Sequence, residues 1–280
     1  MNRIWKNRLL AGGLQASYAL IIVFFLFPIF WVFSLSLKSI PELFATPPLW
    51  FSSAPHFENY VHVFQHTNIL PSLWNSLEIV LLTVAFALLV AIPAAYGLSR
   101  FTFRHKKLSL LLILIFQMIS PIVVAIPLYR FFVKLDLLNT EWSLILVYVA
   151  VELPFTTWFL KGYFDTIPRE LDEAAIMDGC TRGQYVRRVL LPVGAPGLAS
   201  AAILVAVQSW SQFVIPFVLL DKGELFPVSV ALVNLQSTSE AVTLHYLAAA
   251  SIIGILPVIL GFILLQKYIV GALTSGAVKG

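Results

Sequence analysis

The sequence predicts an all-α polytopic membrane protein with six transmembrane helices and one cytoplasmic helical hairpin. Three observations carry that reading. Of the 280 residues, 59% are hydrophobic and only 11% are charged, with a mean hydropathy of +0.89, whereas a soluble domain carries about 25% charged residues. Six apolar runs reach the roughly 20 residues that a helix needs to cross a bilayer. The basic residues are one-sided: of 18 Lys and Arg, only Lys38, Arg130, Lys134 and Lys222 fall outside the two termini and the second and fourth connections.

The first run, 14–37, follows Arg3, Lys6 and Arg8. It is longer than a signal-peptide core and no small-residue cleavage pattern follows it, so it is expected to stay as an anchor. The other spans are expected at about 75–98, 108–130, 142–160, 197–220 and 247–270, in one transmembrane domain over residues 1–280. Each holds an internal proline: Pro28, Pro93, Pro121 with Pro127, Pro154, Pro216 and Pro257. Membranes tolerate such prolines where neighbouring helices satisfy the freed carbonyls, so a bundle of kinked helices is expected.

The excess of Lys and Arg marks the cytoplasmic side, which places both termini and the connection between the fourth and fifth spans there. The first outer connection, about 38–74, contains Pro41, Pro47, Pro48 and Pro55 and reads as extended and turn-rich. His56, His62 and His66 within it lack a tight ligand spacing and read as solvated surface residues, so no metal site is expected. All five histidines, with His105 and His245, fall outside the expected spans. The pI near 9.2 reflects sidedness across a bilayer and implies no nucleic acid. A single cysteine, Cys180, excludes an intramolecular disulfide.

The cytoplasmic stretch 168–192 reads as two short helices. Pro168 suits a first turn, Glu170, Asp172 and Glu173 complement a helix dipole, and Gly179 suits a stop. Thr181 and Gln184 have capping-box spacing, and Pro192 is expected to end the second helix. Ala174 and Ala175 are expected to be exposed, with Tyr185, Val186 and Val189 offering an apolar face beside Arg187 and Arg188. Two readings fit that face: docking into a groove of another protein, or packing beneath the hairpin's own bundle.

The run Glu173-Ala174-Ala175, three residues, Gly179, nine residues, then Val189-Leu190-Leu191-Pro192 resembles the EAA motif of the membrane subunits of bacterial ATP-binding cassette importers, with valine where isoleucine is usual. The tail from Gly271 to Gly280, the Pro47-Pro48 loop with Glu58-Asn59-Tyr60, and Ala95-Tyr96-Gly97 are similar to carbohydrate-uptake permeases related to the maltose-system G subunit. The resemblance implies the type I importer permease fold in a bacterial plasma (inner) membrane. It implies coupling to an ATPase through Glu173, Ala174, Ala175, Asp178, Gly179, Leu191 and Pro192, with tail contacts at Gly276, Ala277 and Lys279.

The expected function is the permease subunit of a binding-protein-dependent importer of a di- or oligosaccharide. The implied partners are a second homologous permease, two ATPase subunits, an extracytoplasmic sugar-binding protein and membrane lipid. No phosphate-cradling G-x-x-x-x-G-K-[ST] is present. ATP and Mg are therefore expected to act in the partner, with no cofactor and no catalytic residue on this chain.

Polar residues within spans face a cavity or another helix; those in the expected spans include Glu78, Gln117, Ser120, Glu152, Gln208, Ser209, Ser211 and Gln212. Sugars require neutral hydrogen-bonding groups and an aromatic face, which Gln117, Tyr148, Glu152, Gln208, Trp210, Ser211 and Gln212 could supply as a substrate path. Interhelical hydrogen bonding is the alternative for each. Related permeases often carry an Asn-Asp or Asn-Glu pair after the tryptophan corresponding to Trp210, where Ser211 and Gln212 stand here. A stand-alone secondary transporter would need internal symmetry and mid-membrane ionisable groups beyond Glu152. An intramembrane enzyme would need a convergent catalytic cluster that the sequence lacks.

Overall fold

Prolines and small residues decide where this chain bends and where its helices touch. A computed structural model describes residues 3–237 and 244–277. Among them every regular element is a helix: α1 (Arg3–Ser36), α2 (Ile40–Leu43), α3 (Glu58–His66), α4 (Ile69–Arg100), α5 (Lys106–Gln117), α6 (Pro121–Lys134), α7 (Glu141–Thr166), α8 (Glu170–Met177), α9 (Arg182–Tyr185), α10 (Leu191–Val193), α11 (Ala195–Ser211), α12 (Val214–Leu219), α13 (Val228–Ser237) and α14 (Leu244–Ala277). A π-helical turn, Val186–Leu190, joins α9 to α10, and a 3-10 turn, Gly223–Leu225, precedes α13.

Among the described residues, four helices are long and apolar enough to cross a membrane: Gly13–Ser36, Ile69–Arg100, Glu141–Thr166 and Leu244–Leu264. The third and fifth expected spans are not single helices. Lys106–Gln117 and Ile122–Lys134 meet at 91°, which breaks the third, whereas the 78° bend between Arg182–Val193 and Ala195–Ser211 lies at Gly194, ahead of the fifth. The first break follows from Pro121, which disfavours helical geometry in the residue before it; Ser120 is accordingly extended, with φ −66 and ψ 133. The expected span 197–220 stops at Ser211, where Gln212 is extended (φ −65, ψ 126). Pro216 then falls in the first turn of α12, where a missing N–H is harmless.

Contacts divide the chain into two units, Met1–Ile69 with Leu232–Leu256 and Leu70–Ala231 with Pro257–Gly280. In the first unit the connection after α1 is ordered by hydrogen bonds and contains two helices, contrary to the extended loop expected from its prolines. Asn59 Nδ2 donates to the carbonyls of Ser36 (2.9 Å) and Lys38 (3.1 Å), satisfying acceptors that the end of α1 leaves open. Lys38 is buried, donates to Leu49 O and lies 4.8 Å from the Trp31 ring centroid. His62 stacks on Tyr246 and on His66, at 4.0 and 4.4 Å between centroids. Burial and the neighbouring His66 lower the His62 pKa below its usual 6.5. His245, expected outside the spans, lies in the first turn of α14 and is buried. Among the described residues no group of three His, Cys, Asp or Glu could hold a metal ion.

In the second unit small residues set the helix spacing. Ala87, Ala91 and Ala95 lie on one face of α4 and are wholly buried, and Ala91 and Ala95 share a core with Leu160 and Phe164 of α7. This is the close backbone approach that small residues allow between membrane helices. On α11, a Cβ added to Gly197 would lie 2.4 Å from ring atoms of Tyr163. A second core joins Phe132, Leu144, Ile145 and Tyr148 to Ile215 and Leu219, so α12 is wedged against α6 and α7. Asn139, at φ 59, takes the Leu219 carbonyl with its own N–H (3.1 Å) and accepts from Asp221 N through Oδ1 (2.7 Å), fixing the end of α12.

Two outcomes follow from these contacts. Gly197→Val is expected to destabilise the detergent-solubilised protein by roughly 1–3 kcal/mol, the usual cost of overpacking, read as a lower Tm. Glu42 accepts from Ser39 N (3.1 Å), Ser52 Oγ (2.8 Å), Ser53 N (3.0 Å) and Ser53 Oγ (2.8 Å). The bond from Ser39 leads the others in lowering its carboxyl pKa from 4.5 to about 2. A depressed folded-state pKa gives a contribution that is complete above the unfolded value and lost as the pH falls through the folded one. Hydrogen-exchange protection in residues 39–53 is therefore expected to hold down to about pH 4.5 and then decline towards about pH 2, with the decline absent in Glu42→Gln.

Candidate functional site

The stretch between α7 and α11 folds into the hairpin expected from its capping residues. Gly179 adopts φ 78, a left-handed geometry that only glycine adopts cheaply. Its N–H bonds to Ile176 O (3.0 Å) and the N–H of Cys180 bonds to Ala175 O (2.9 Å), which together form a Schellman stop. Thr181 Oγ1 accepts from Gln184 N (3.3 Å), and Gln184 Oε1 accepts from Thr181 N (2.8 Å), a reciprocal capping box.

Pro192 does not end the second helix. The π turn Val186–Leu190 carries the chain into α10, and the chain turns at Gly194. In a regular helix the Pro192 ring would meet the carbonyl of Arg188, and the wider turn lies immediately before it. A Cβ on Gly194 would come within 2.8 Å of Leu190 O, so the bend into α11 needs a glycine.

The hairpin has one face buried in the bundle and one exposed. Ala175, Tyr185 and Leu190 are buried with Ala91, Ala95, Leu160 and Phe164, and Val186 and Val189 pack against that core. Ala175, expected to be exposed, is buried instead, and for the Tyr185–Val186–Val189 face the packing reading holds: these residues are the seam to the hairpin's own bundle. Glu173, Ala174, Asp178, Gly179 and Pro192 are exposed, and Leu191 is half-buried. Ile176 and Met177 are 61% and 87% exposed, leaving two large apolar side chains beside Glu173.

Arg100, the last residue of α4, holds this hairpin. Its Nη1 donates to Phe164 O and its Nη2 to Ile167 O, each at 3.1 Å. Its Nε lies 3.0 Å from Asp172 Oδ2, with the two side chains only 8% and 16% exposed. This last contact is a charge contact, without the alignment of a hydrogen bond. Ser99 Oγ donates to Asp165 Oδ1 (2.7 Å), and Arg182 lies 4.9 Å from the Phe101 ring centroid. Sequence reasoning counted Arg100 only towards sidedness and Asp172 only towards a helix dipole. The available signal was a cation in the last turn of one helix with a carboxylate in the first turn of another.

A cavity of ≈ 680 Å³ lies among α5, α6, α7 and the end of α11. Gln117, Glu152, Gln208 and Gln212 line it together, with Phe116, Phe131, Phe132 and Phe155 among the apolar walls. Of the other expected path residues, Tyr148 is buried in the core with Leu144 and Ile215. Ser211 turns back onto its own helix, donating to Val207 O (3.0 Å) and Gln208 O (3.1 Å). Trp210 and Ser211 do not line the cavity, and the aromatic wall comes from phenylalanines instead. Glu78 is exposed on α4. Gly276 and Ala277 close α14, and Lys279 lies outside the described residues.

Residues 84–274 match the family model described as the binding-protein-dependent transport system inner membrane component. A sulfoquinovosyl glycerol transport system permease of Agrobacterium fabrum is 34% identical over 255 residues, 91% of this chain and 89% of its own length. A trehalose transport system permease of Mycobacterium tuberculosis is 34% identical over 275 residues, 96% of this chain and all of its own. Among solved structures, a bacterial ABC transporter involved in import of the acidic polysaccharide alginate superposes with a TM-score of 0.81 at 23% identity, over 96% of this chain and 99% of its own. That likeness establishes the fold.

Gly179→Val places a branched side chain in the left-handed region, at a cost of about 1–3 kcal/mol. The expected outcome is faster hydrogen exchange confined to residues 170–190 while the Tm of the bundle changes little.

Proposed function

The chain belongs to the inner-membrane components of binding-protein-dependent transport systems, and from that membership we propose that it forms half of the translocation path of an ATP-driven sugar importer. It is a transport subunit and not an enzyme. The observation that carries the mechanical part is the two-faced hairpin, rooted in the bundle through Ala175, Tyr185 and Leu190 and presenting Glu173, Ala174, Ile176 and Met177 outward.

An exposed apolar pair beside a carboxylate suits a groove with a basic rim. In this reading the groove belongs to an ATPase subunit, and Gly276, Ala277 and Lys279 add a tail contact. Two ATPase copies bind ATP with Mg, and their closure drives the hairpin of this chain and that of a second permease towards each other. The spans then turn from inward-facing to outward-facing around the substrate path. Both termini and the hairpin lie on the cytoplasmic side, and a loaded binding protein delivers sugar from outside.

For the substrate, three glutamines offer neutral donors and acceptors, and phenylalanines offer faces on which a sugar ring can stack. Glu152 brings a carboxylate that accepts from sugar hydroxyls. The permeases of similar sequence carry sugars or sugar conjugates by name, which supports a carbohydrate substrate.

The test uses the complete complex in proteoliposomes. Glu173→Lys reverses the charge facing the ATPase, and like charges at an interface cost several kcal/mol. Uptake of the sugar held by the binding protein is expected to fall by roughly tenfold or more while the permease pair still assembles. Normal uptake by this variant would remove the coupling role from the hairpin.

A further inference from the structure

We propose that Arg100 is a positioning residue: the joint that locks the hairpin to the ends of α4 and α7, so that force applied to the hairpin reaches the cavity wall without slack. The inference rests on the coupling role proposed above and adds how the force is transmitted. Apolar packing alone leaves the joint free to slide, because burial of Ala175, Tyr185 and Leu190 has no preferred direction. The guanidinium removes that freedom. It is a rigid planar fork, and its three contacts go to two different pieces: the carbonyls of Phe164 and Ile167 at the end of α7, and Asp172 on α8.

The placement is electrostatically sound on both sides. Arg100 is in the last turn of α4 and touches the last carbonyls of α7, both of which are negative helix ends. Asp172 is in the first turn of α8, a positive end. With both side chains mostly buried, removing one partner strands the other charge, so the joint does not open readily. Tyr185, from the second helix of the hairpin, lies in the same group: its ring is 6.1 Å from that of Tyr96 on α4, and its side chain is 2% exposed.

The rest of α7 gives the joint its function. Glu152 and Phe155, which line the cavity, lie on the same helix as Phe164. The 12 residues from Glu152 to Phe164 correspond to about 18 Å of helix. A hairpin fixed to the end of α7 moves that wall as it moves, whereas a loosened hairpin absorbs the displacement.

The joint is tested by a spin–spin distance within this chain, in the assembled complex in nanodiscs. Labels are placed at Arg187→Cys, exposed on the hairpin away from the face proposed for the ATPase, and at Trp158→Cys, exposed on α7 outside the cavity lining, in a Cys180→Ser background. With Arg100 intact, the distance is expected to be narrow and the same in the nucleotide-free and MgATP–vanadate-trapped states. In Arg100→Met and Asp172→Asn, the distribution is expected to broaden, and trapping is expected to shift it. Asp172→Glu, which keeps the charge, is expected to restore the narrow distribution.

A distance that shifts on trapping with Arg100 intact overturns the proposal, as does a narrow, nucleotide-independent distance in Arg100→Met. The first of these outcomes needs no substitution at the joint, so misfolding of a variant cannot obscure it. Binding of the ATPase to the Glu173→Lys complex tests the coupling surface separately. Failure of the joint and failure of the coupling role are therefore distinguishable.

Discussion

The contact of one guanidinium with two helix-end carbonyls and one carboxylate is the constraint on which the hairpin region of this structure depends. Arg100, Phe164, Ile167 and Asp172 come from three elements separated by long stretches of chain. The small residues of α4 bring its backbone close to α7, and that approach puts Arg100 within reach of the α7 carbonyls. Packing sets the distance, and the charge sets the register.

The hairpin has a packed face and an exposed face. Ala174 is exposed and Ala175 is buried, although they are neighbours of the same type. Consecutive residues on a helix point about 100° apart, so one alanine faces outward and the next enters a core. The alanine pair in the motif therefore needs no single explanation. One side requires smallness for contact with α4 and α7, and the other leaves Ile176 and Met177 standing clear beside Glu173.

Much of this was legible in the sequence where the determinant was local. The Gly179 stop and the Thr181–Gln184 cap depend on residues within a few positions of each other, and both formed as their chemistry requires. Four of the expected spans overlap long apolar helices, with ends that differ by up to about six residues, because hydropathy marks the middle of a span better than its ends. The two broken spans were misread because a proline within an apolar run permits either a kink or a break, and the choice between them depends on what surrounds it. Arg100 and Asp172 were seen as charges but not as partners, since no local pattern joins positions 72 residues apart. Trp210 was favoured for its ring, yet tertiary packing gave the aromatic wall to phenylalanines on α5, α6 and α7.

The breaks and the cavity have a common cause. Backbone that leaves the helix at membrane depth exposes polar groups, and it is tolerated where it is buried in protein or borders a water-filled space. Gln117 is the last residue of α5 and Gln212 is the extended residue after α11, and both line the ≈ 680 Å³ cavity. Their side-chain amides therefore sit where the helical hydrogen-bond ladder ends, among backbone groups that also need partners. A continuous helix at either place would turn those groups inward and leave an apolar wall. The interruptions that made these spans hard to recognise are also what place neutral hydrogen-bonding groups in a cavity of an otherwise apolar bundle.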